Sequence, residues 1–177
     1  MALKTMIENL NKARADYEAQ LASIGENAQK AVAEFLSPLV PPGYAVTWRQ
    51  YTPHFNDGDA CTFSVHDPEL AKLDDDGDTS EGIDFGTAIE RYGKPDEIKS
   101  YMRNDYSYGR GNNEQVKVEY TEHGFPAIDG WSVEKLEALG KAWGELPEDM
   151  LESAFGDHVS VAIKYDGTFD VSDYSHD

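Results

Sequence analysis

Across 177 residues the chain sets 34 acidic side chains against 15 lysines and arginines, a formal charge of −19, with 40% hydrophobic and 28% charged residues. That length and composition suit one globular domain with its own core and argue against a disordered chain, while the charge opposes nonspecific attraction to nucleic acid or an anionic membrane. A partner chosen by charge is therefore a basic protein.

Cys61, the single cysteine, has no intramolecular disulfide partner. No run approaches the roughly eighteen apolar residues of a membrane span, and Glu8 falls too early for a signal-peptide core. A cytoplasmic protein without membrane contact is expected.

In chain order, Leu3, Ile7, Leu10, Tyr17, Leu21, Ile24, Ala28, Ala31 and Phe35 recur at steps of four and three, broken at Arg14. This predicts an amphipathic helix over about 2–37. At roughly 50 Å it would outrun a domain of this size, so a break at Ser23-Ile24-Gly25 into a helical hairpin is the alternative. The stripe is expected to cover the protein's own sheet; a homodimer seam is its other use. Pro38, Pro41, Pro42 and Gly43 end the helix.

Residues 44–51 alternate as a strand, and a loop containing Asn56-Asp57-Gly58 returns the chain into 60–66, predicting an antiparallel hairpin with Cys61 as a small core residue. Residues 67–84 turn acidic around Asp74-Asp75-Asp76-Gly77-Asp78 and read as a loop. Short helices are predicted over 87–92 and 96–103, then a turn at Gly109-Arg110-Gly111-Asn112-Asn113 and a strand over 115–121. Ser132 reads as the N-cap of a helix presenting Val133, Leu136, Leu139 and Trp143, and Pro147 opens a shorter helix ending near Gly156. Residues 158–165, Asp166-Gly167 and 168–174 form the strongest hairpin signal. The architecture expected is a single acidic α+β domain over 1–177, a mostly antiparallel sheet with helices packed on one face.

The run Trp48-Arg49-Gln50-Tyr51-Thr52-Pro53-His54-Phe55-Asn56-Asp57-Gly58-Asp59, continuing through Cys61-Thr62-Phe63-Ser64-Val65, resembles a hairpin segment of small uncharacterised bacteriophage and bacterial proteins. The resemblance implies a phage or prophage setting and carries no family chemistry.

No catalytic chemistry is legible. Counting back from Gly58, Gly77 or Gly82 never places acids at the first, third and fifth positions of an EF-hand loop. His54, Asp57, Asp59, Cys61 and His66 match no zinc spacing, and strand alternation sends Cys61 and His66 to opposite faces. Nucleophile elbow, paired-histidine helix and phosphate-binding loop are all missing from the sequence. No cofactor is assigned; a noncontiguous acidic metal site at Asp74, Asp76 and Asp78 is the enzyme alternative. Arg91, Lys94, Lys99, Arg103 and Arg110, interleaved with Tyr92, Tyr101, Tyr106 and Tyr108, read as ordinary helices and a packed aromatic loop, with a protein-contact surface as the alternative.

The charge map ranks the functions. Residues 67–84 hold 8 acids to 1 base and 126–177 hold 12 to 3, whereas 85–125 hold 7 to 6. Solubility needs far less charge than this. The expectation is a non-catalytic acidic binding protein, a phage-encoded DNA mimic whose carboxylates occlude the basic groove of a host nucleic-acid-binding or defence protein. Asp74, Asp75, Asp76, Asp78, Glu81, Asp166, Asp170 and Asp173 would meet the partner, with Tyr165, Phe169 and Tyr174 as anchors. An immunity or adaptor protein neutralising a basic toxin is the alternative.

Overall fold

The computed structural model describes residues 2–54, 58, 60–105 and 114–175. Helix α1 (Ala2–Leu36) runs through a 3-10 turn (Ser37–Leu39) into β1 (Tyr44–Tyr51). The short β2 (Ser64–Val65), β3 (Glu69–Leu73), β4 (Thr79–Asp84) and α2 (Phe85–Arg91) follow, then β5 (Glu97–Asp105) and β6 (Glu114–Glu122). Helices α3 (Val133–Gly144) and α4 (Glu148–Phe155) precede the closing hairpin of β7 (Val159–Lys164) and β8 (Phe169–Asp173). The main sheet is ordered β4-β3-β1-β7-β8 with β2 beside the far end of β1, and all its pairings are antiparallel. The chain is thus α+β with a mostly antiparallel sheet.

Alternation divides that sheet. Tyr44, Val46, Trp48 and Gln50 of β1 point to the helices, as do Leu70 of β3 and Val159, Val161 and Ile163 of β7, and all are buried. Val32, Ala33 and Leu36 from the end of α1, Leu136 and Leu139 of α3, and Leu151, Ala154 and Phe155 of α4 complete this core. Trp48 lies between Trp143 and Phe155, with ring centroids 4.9 and 5.3 Å away. Gln50 is wholly buried and satisfied: Oε1 accepts from Trp48 Nε1 at 2.9 Å, and Nε2 donates to the carbonyls of Leu151 at 3.1 Å and Gly156 at 2.5 Å. It ties β1 to the two ends of α4's last turn.

Three expectations are corrected. The helix predicted over 96–103 is instead strand β5 (Glu97–Asp105), because a ladder from Glu97↔Glu122 to Asp105↔Glu114 overrides a local spacing that also suits a helix. Most of the loop predicted over 67–84 is a hairpin of β3 and β4, in which Leu70 pairs with Ile83 and 74–78 form the turn. There the Asp74 carboxylate accepts from the backbone N–H of Asp76 at 3.0 Å and of Asp78 at 2.9 Å, and Gly77 adopts φ +84°. Cys61 is exposed, since the second strand of the first hairpin is only Ser64–Val65. The predicted turn at 109–113 and most of the 55–59 loop lie outside the described residues.

The β5–β6 ribbon is rooted on Arg91, which is only 5% exposed. Its guanidinium donates to the carbonyls of Pro95 at 2.9 Å, His123 at 3.3 Å and Glu122 at 3.4 Å, and pairs with the Glu122 carboxylate at 2.9 Å. Gly124 passes so close to the Lys94 carbonyl that no β-carbon fits.

Candidate binding groove

The sheet face turned away from the helices is built by the alternate residues of the same strands. Thr47, Arg49 and Tyr51 of β1, Ser160 and Ala162 of β7, Asp170 and Ser172 of β8, and Gly82 of β4 line a groove of about 790 Å³. Its floor is small and uncharged at Thr47, Ser160, Ala162 and Ser172, and its walls are acidic, with Asp67, Glu69, Asp78, Glu81 and Asp170 against the single guanidinium of Arg49. Glu69 can lie across β4 because residue 82 is glycine: a β-carbon there would come within 2.6 Å of Glu69 Cβ.

One end of the groove is aromatic. Tyr51 stacks on His66 with centroids 4.5 Å apart and packs against Tyr174 at 5.3 Å, while Arg49 sits 5.1 Å from the Tyr174 ring centroid. Beyond Tyr51, His54 stacks on His158 at 4.7 Å. His158 holds a left-handed backbone at φ 57°. Beside it the Asp157 carboxylate accepts from the backbone N–H of Thr52 at 2.7 Å and of His158 at 2.8 Å. Burial pushes the Asp157 carboxyl up, but these hydrogen bonds and the nearby His158 charge prevail and hold it below the usual aspartate range.

At the other end the β3–β4 turn folds toward β7, so that a β-carbon at Gly77 would lie 3.7 Å from Lys164 Nζ. Lys164 pairs with Asp170 at 2.8 Å. That hydrogen bond, followed by the charges of Asp170, Asp166 and Asp78, raises its pKa against the opposing effect of desolvation. One lysine therefore feels carboxylates from both acid-rich stretches. Among the described residues, Asp67, Glu69, Asp78 and Glu81 have no ion-pair partner within 4.0 Å.

The residues singled out from sequence divide among several places. Asp78, Glu81, Asp170 and Tyr174 line the groove. Asp74, Asp75 and Asp76 are exposed in the adjoining turn, with Asp74 engaged by its own backbone. Asp166 accepts from Thr168 Oγ1 at 2.6 Å and Thr168 N at 2.9 Å in the β7–β8 turn, which lowers its pKa. Tyr165 is 44% exposed near that turn. Phe169 and Asp173 take the other face of β8: Phe169 meets Phe155, and Asp173 pairs across the ladder with the core residue Val159. Asp170 and Asp173 thus point oppositely and do not form a carboxylate ladder along β8. Of the zinc alternative, Asp57 and Asp59 lie outside the described residues; among those described, no three His, Cys, Asp or Glu side chains are grouped to hold a metal ion. No described helix is long and apolar enough to cross a membrane.

Arg49, Tyr51, Asp67 and Glu69 line the groove with no binding motif in the sequence to mark them, and His66, weighed above only as a zinc ligand, lines it too. The signal available for the β1 pair was parity: they fall between the core positions 46, 48 and 50 on one strand. Compared with known proteins, the chain matches no family model, no curated sequence and no solved structure.

Proposed function

We propose that this protein is a non-catalytic acidic binding protein whose open sheet groove seats a lysine- or arginine-bearing element of a basic partner, blocking the surface that partner offers to nucleic acid. The observation that carries the reading is the meeting of both acid-rich stretches around Lys164 and the groove, with Asp78, Glu81 and Asp170 on one continuous lining. A floor of Thr47, Ser160, Ala162 and Ser172 leaves room for a cationic chain, the carboxylates supply charge-assisted hydrogen bonds, and Tyr51 and Tyr174 supply apolar anchorage at one end. In this reading the imitation of nucleic acid comes from the groove walls together. The exposed acids of the 74–78 turn steer the approach.

The phage setting implied by the Trp48–Asp59 segment gives the class of partner, a basic host protein that handles nucleic acid in the host cytoplasm. The long, continuous form of α1 upstream of its packed end belongs to the same proposal, as a stalk outside the groove.

The test is binding of a fluorescent arginine-rich peptide, then of basic nucleic-acid-binding proteins with duplex DNA as competitor. Neutralising Glu69, Asp78 and Glu81 to Gln, Asn and Gln is expected to weaken binding at least about tenfold. Neutralising Glu137, Glu145 and Glu152 to Gln, three exposed acids on the helical side, changes net charge equally and should act far less. Equal losses in both variants would reduce the groove to one part of a diffuse field and overturn the assignment. A captured basic protein that duplex DNA fails to displace would point to toxin neutralisation instead.

A further inference from the structure

Strands β5 and β6 form a two-stranded ribbon, and among the described residues neither strand pairs with the main sheet. Two strands alone are marginal in water and gain stability from a third strand or a packed face. This ribbon instead leaves Ile98 79%, Met102 56% and Tyr101 50% exposed. The outer edge of β5 offers a row of backbone groups that another strand can pair with.

We propose that the outer edge of β5 pairs antiparallel with β5 of a second copy of this chain, about a two-fold axis through Ser100. In that register Ile98 falls opposite Met102 of the partner subunit, Lys99 opposite Tyr101 of the partner subunit, and Glu97 opposite position 103, an arginine in the sequence. Ile98, Ser100 and Met102 share one face of β5, so each copy gives an isoleucine and a methionine to one apolar cluster around a pair of serines. On the opposite face unlike charges meet. Moving the axis to Tyr101 sets Lys99 against position 103 and Glu97 against Asp105, like against like, and moving it to Lys99 opposes two lysines. Charge therefore selects the same register as the apolar cluster.

Electrostatics also selects the ribbon over the rest of the surface. Two copies carrying −19 each repel, and residues 85–125, with 7 acids and 6 bases, form a nearly balanced stretch that includes the ribbon. Contact there leaves the acid-rich stretches free for a basic partner. It also gives the two interfaces opposite responses to salt, because screening relieves repulsion between like copies and weakens attraction to a cation.

Analytical ultracentrifugation of the full chain at low and high salt tests this. The expected result is a dimer that holds or tightens as salt rises. Joint Ile98→Asp and Met102→Asp substitution brings four carboxylates to the seam and should weaken dimerisation by roughly 100-fold or more. Both side chains are exposed in the single chain, so circular dichroism and thermal unfolding should stay close to the parent. In a Cys61→Ser background, Ser100→Cys should give a covalent dimer on mild oxidation, since directly opposed Cβ atoms lie about 4.5–5.5 Å apart, near disulfide reach. Thr121→Cys, across the ribbon from Ile98 on the β6 edge, should not. A parent chain that stays monomeric overturns the proposal. So does a dimer that survives the double aspartate variant, as one held through α1 would, or crosslinking at 121 in place of 100.

Discussion

The two faces of the main sheet are made by the same strands and differ in almost every physical respect. Toward the helices, Val46, Trp48, Gln50, Val161 and Ile163 are sealed among aromatic and aliphatic side chains. Away from them, Thr47, Arg49, Ser160, Ala162, Asp170 and Ser172 meet solvent in an acidic groove. One residue of offset along β1 moves a side chain from core to groove. Under the proposed function, stability and recognition fall to interleaved positions, and a substitution should disturb one with little effect on the other.

The largest expected effect breaks that division from the closed side. Gln50→Leu keeps the volume roughly but strips partners from the Trp48 indole N–H and the Leu151 and Gly156 carbonyls. The Gly156 carbonyl sits at an exposed residue and can turn to water, so the cost of about 1–3 kcal/mol comes from the indole N–H left buried without an acceptor, read from urea unfolding, while the surviving folded fraction binds an arginine-rich peptide with parental affinity. A cost below about 1 kcal/mol would show that water reaches these groups and that the closed face is less sealed than its burial implies.

A second effect lies where the two sides share one residue. Gly82→Ala places a β-carbon against both the carboxylate end of Glu69, which can swing away, and Glu69 Cβ, which cannot, so β3 and β4 must shift apart locally. Overpacking of this kind costs about 1–3 kcal/mol, and because Glu69 is a groove wall, peptide affinity should fall with stability. Unchanged binding would remove Glu69 from the site.

How much of this was legible in the sequence follows from how local each signal is. The closing hairpin was readable because 159–164 alternate buried and half-buried without a break, and α4 because Pro147 and Gly156 flank it. Ribbon β5 was not, since Ile98, Tyr101 and Met102 sit at spacings of three and four that fit a helix, and only its distant partner β6 decides. The β3–β4 hairpin was hidden by its acid run: Leu70 and Ile83 are two apolar residues in a stretch dominated by carboxylates, yet they hold its strands in register. For the site, charge content was visible and convergence was not, because nothing local brings Asp78 toward Lys164. The division of Asp170 from Asp173 was available from parity alone, three residues apart on one strand.

The smallest effect concerns pH at the aromatic end of the open face. Asp157 is held below its ordinary range when folded, chiefly by accepting from Thr52 and His158 against the cost of burial. A depressed folded pKa adds stability above the unfolded value of about 3.9 and loses it as pH falls through the folded value. The side chain is 37% exposed, so solvent screening keeps its share below about 1 kcal/mol. Asp157→Asn retains an oxygen to accept both backbone N–H groups while removing the charge. Stability near neutral pH should therefore drop only slightly, and the parent's steeper decline in stability below about pH 4 should be shallower in the variant. If the two acid limbs superimpose, the hydrogen bonds alone hold the Thr52–His158 junction, and the carboxylate's charge does no more for the end of the groove than an amide would.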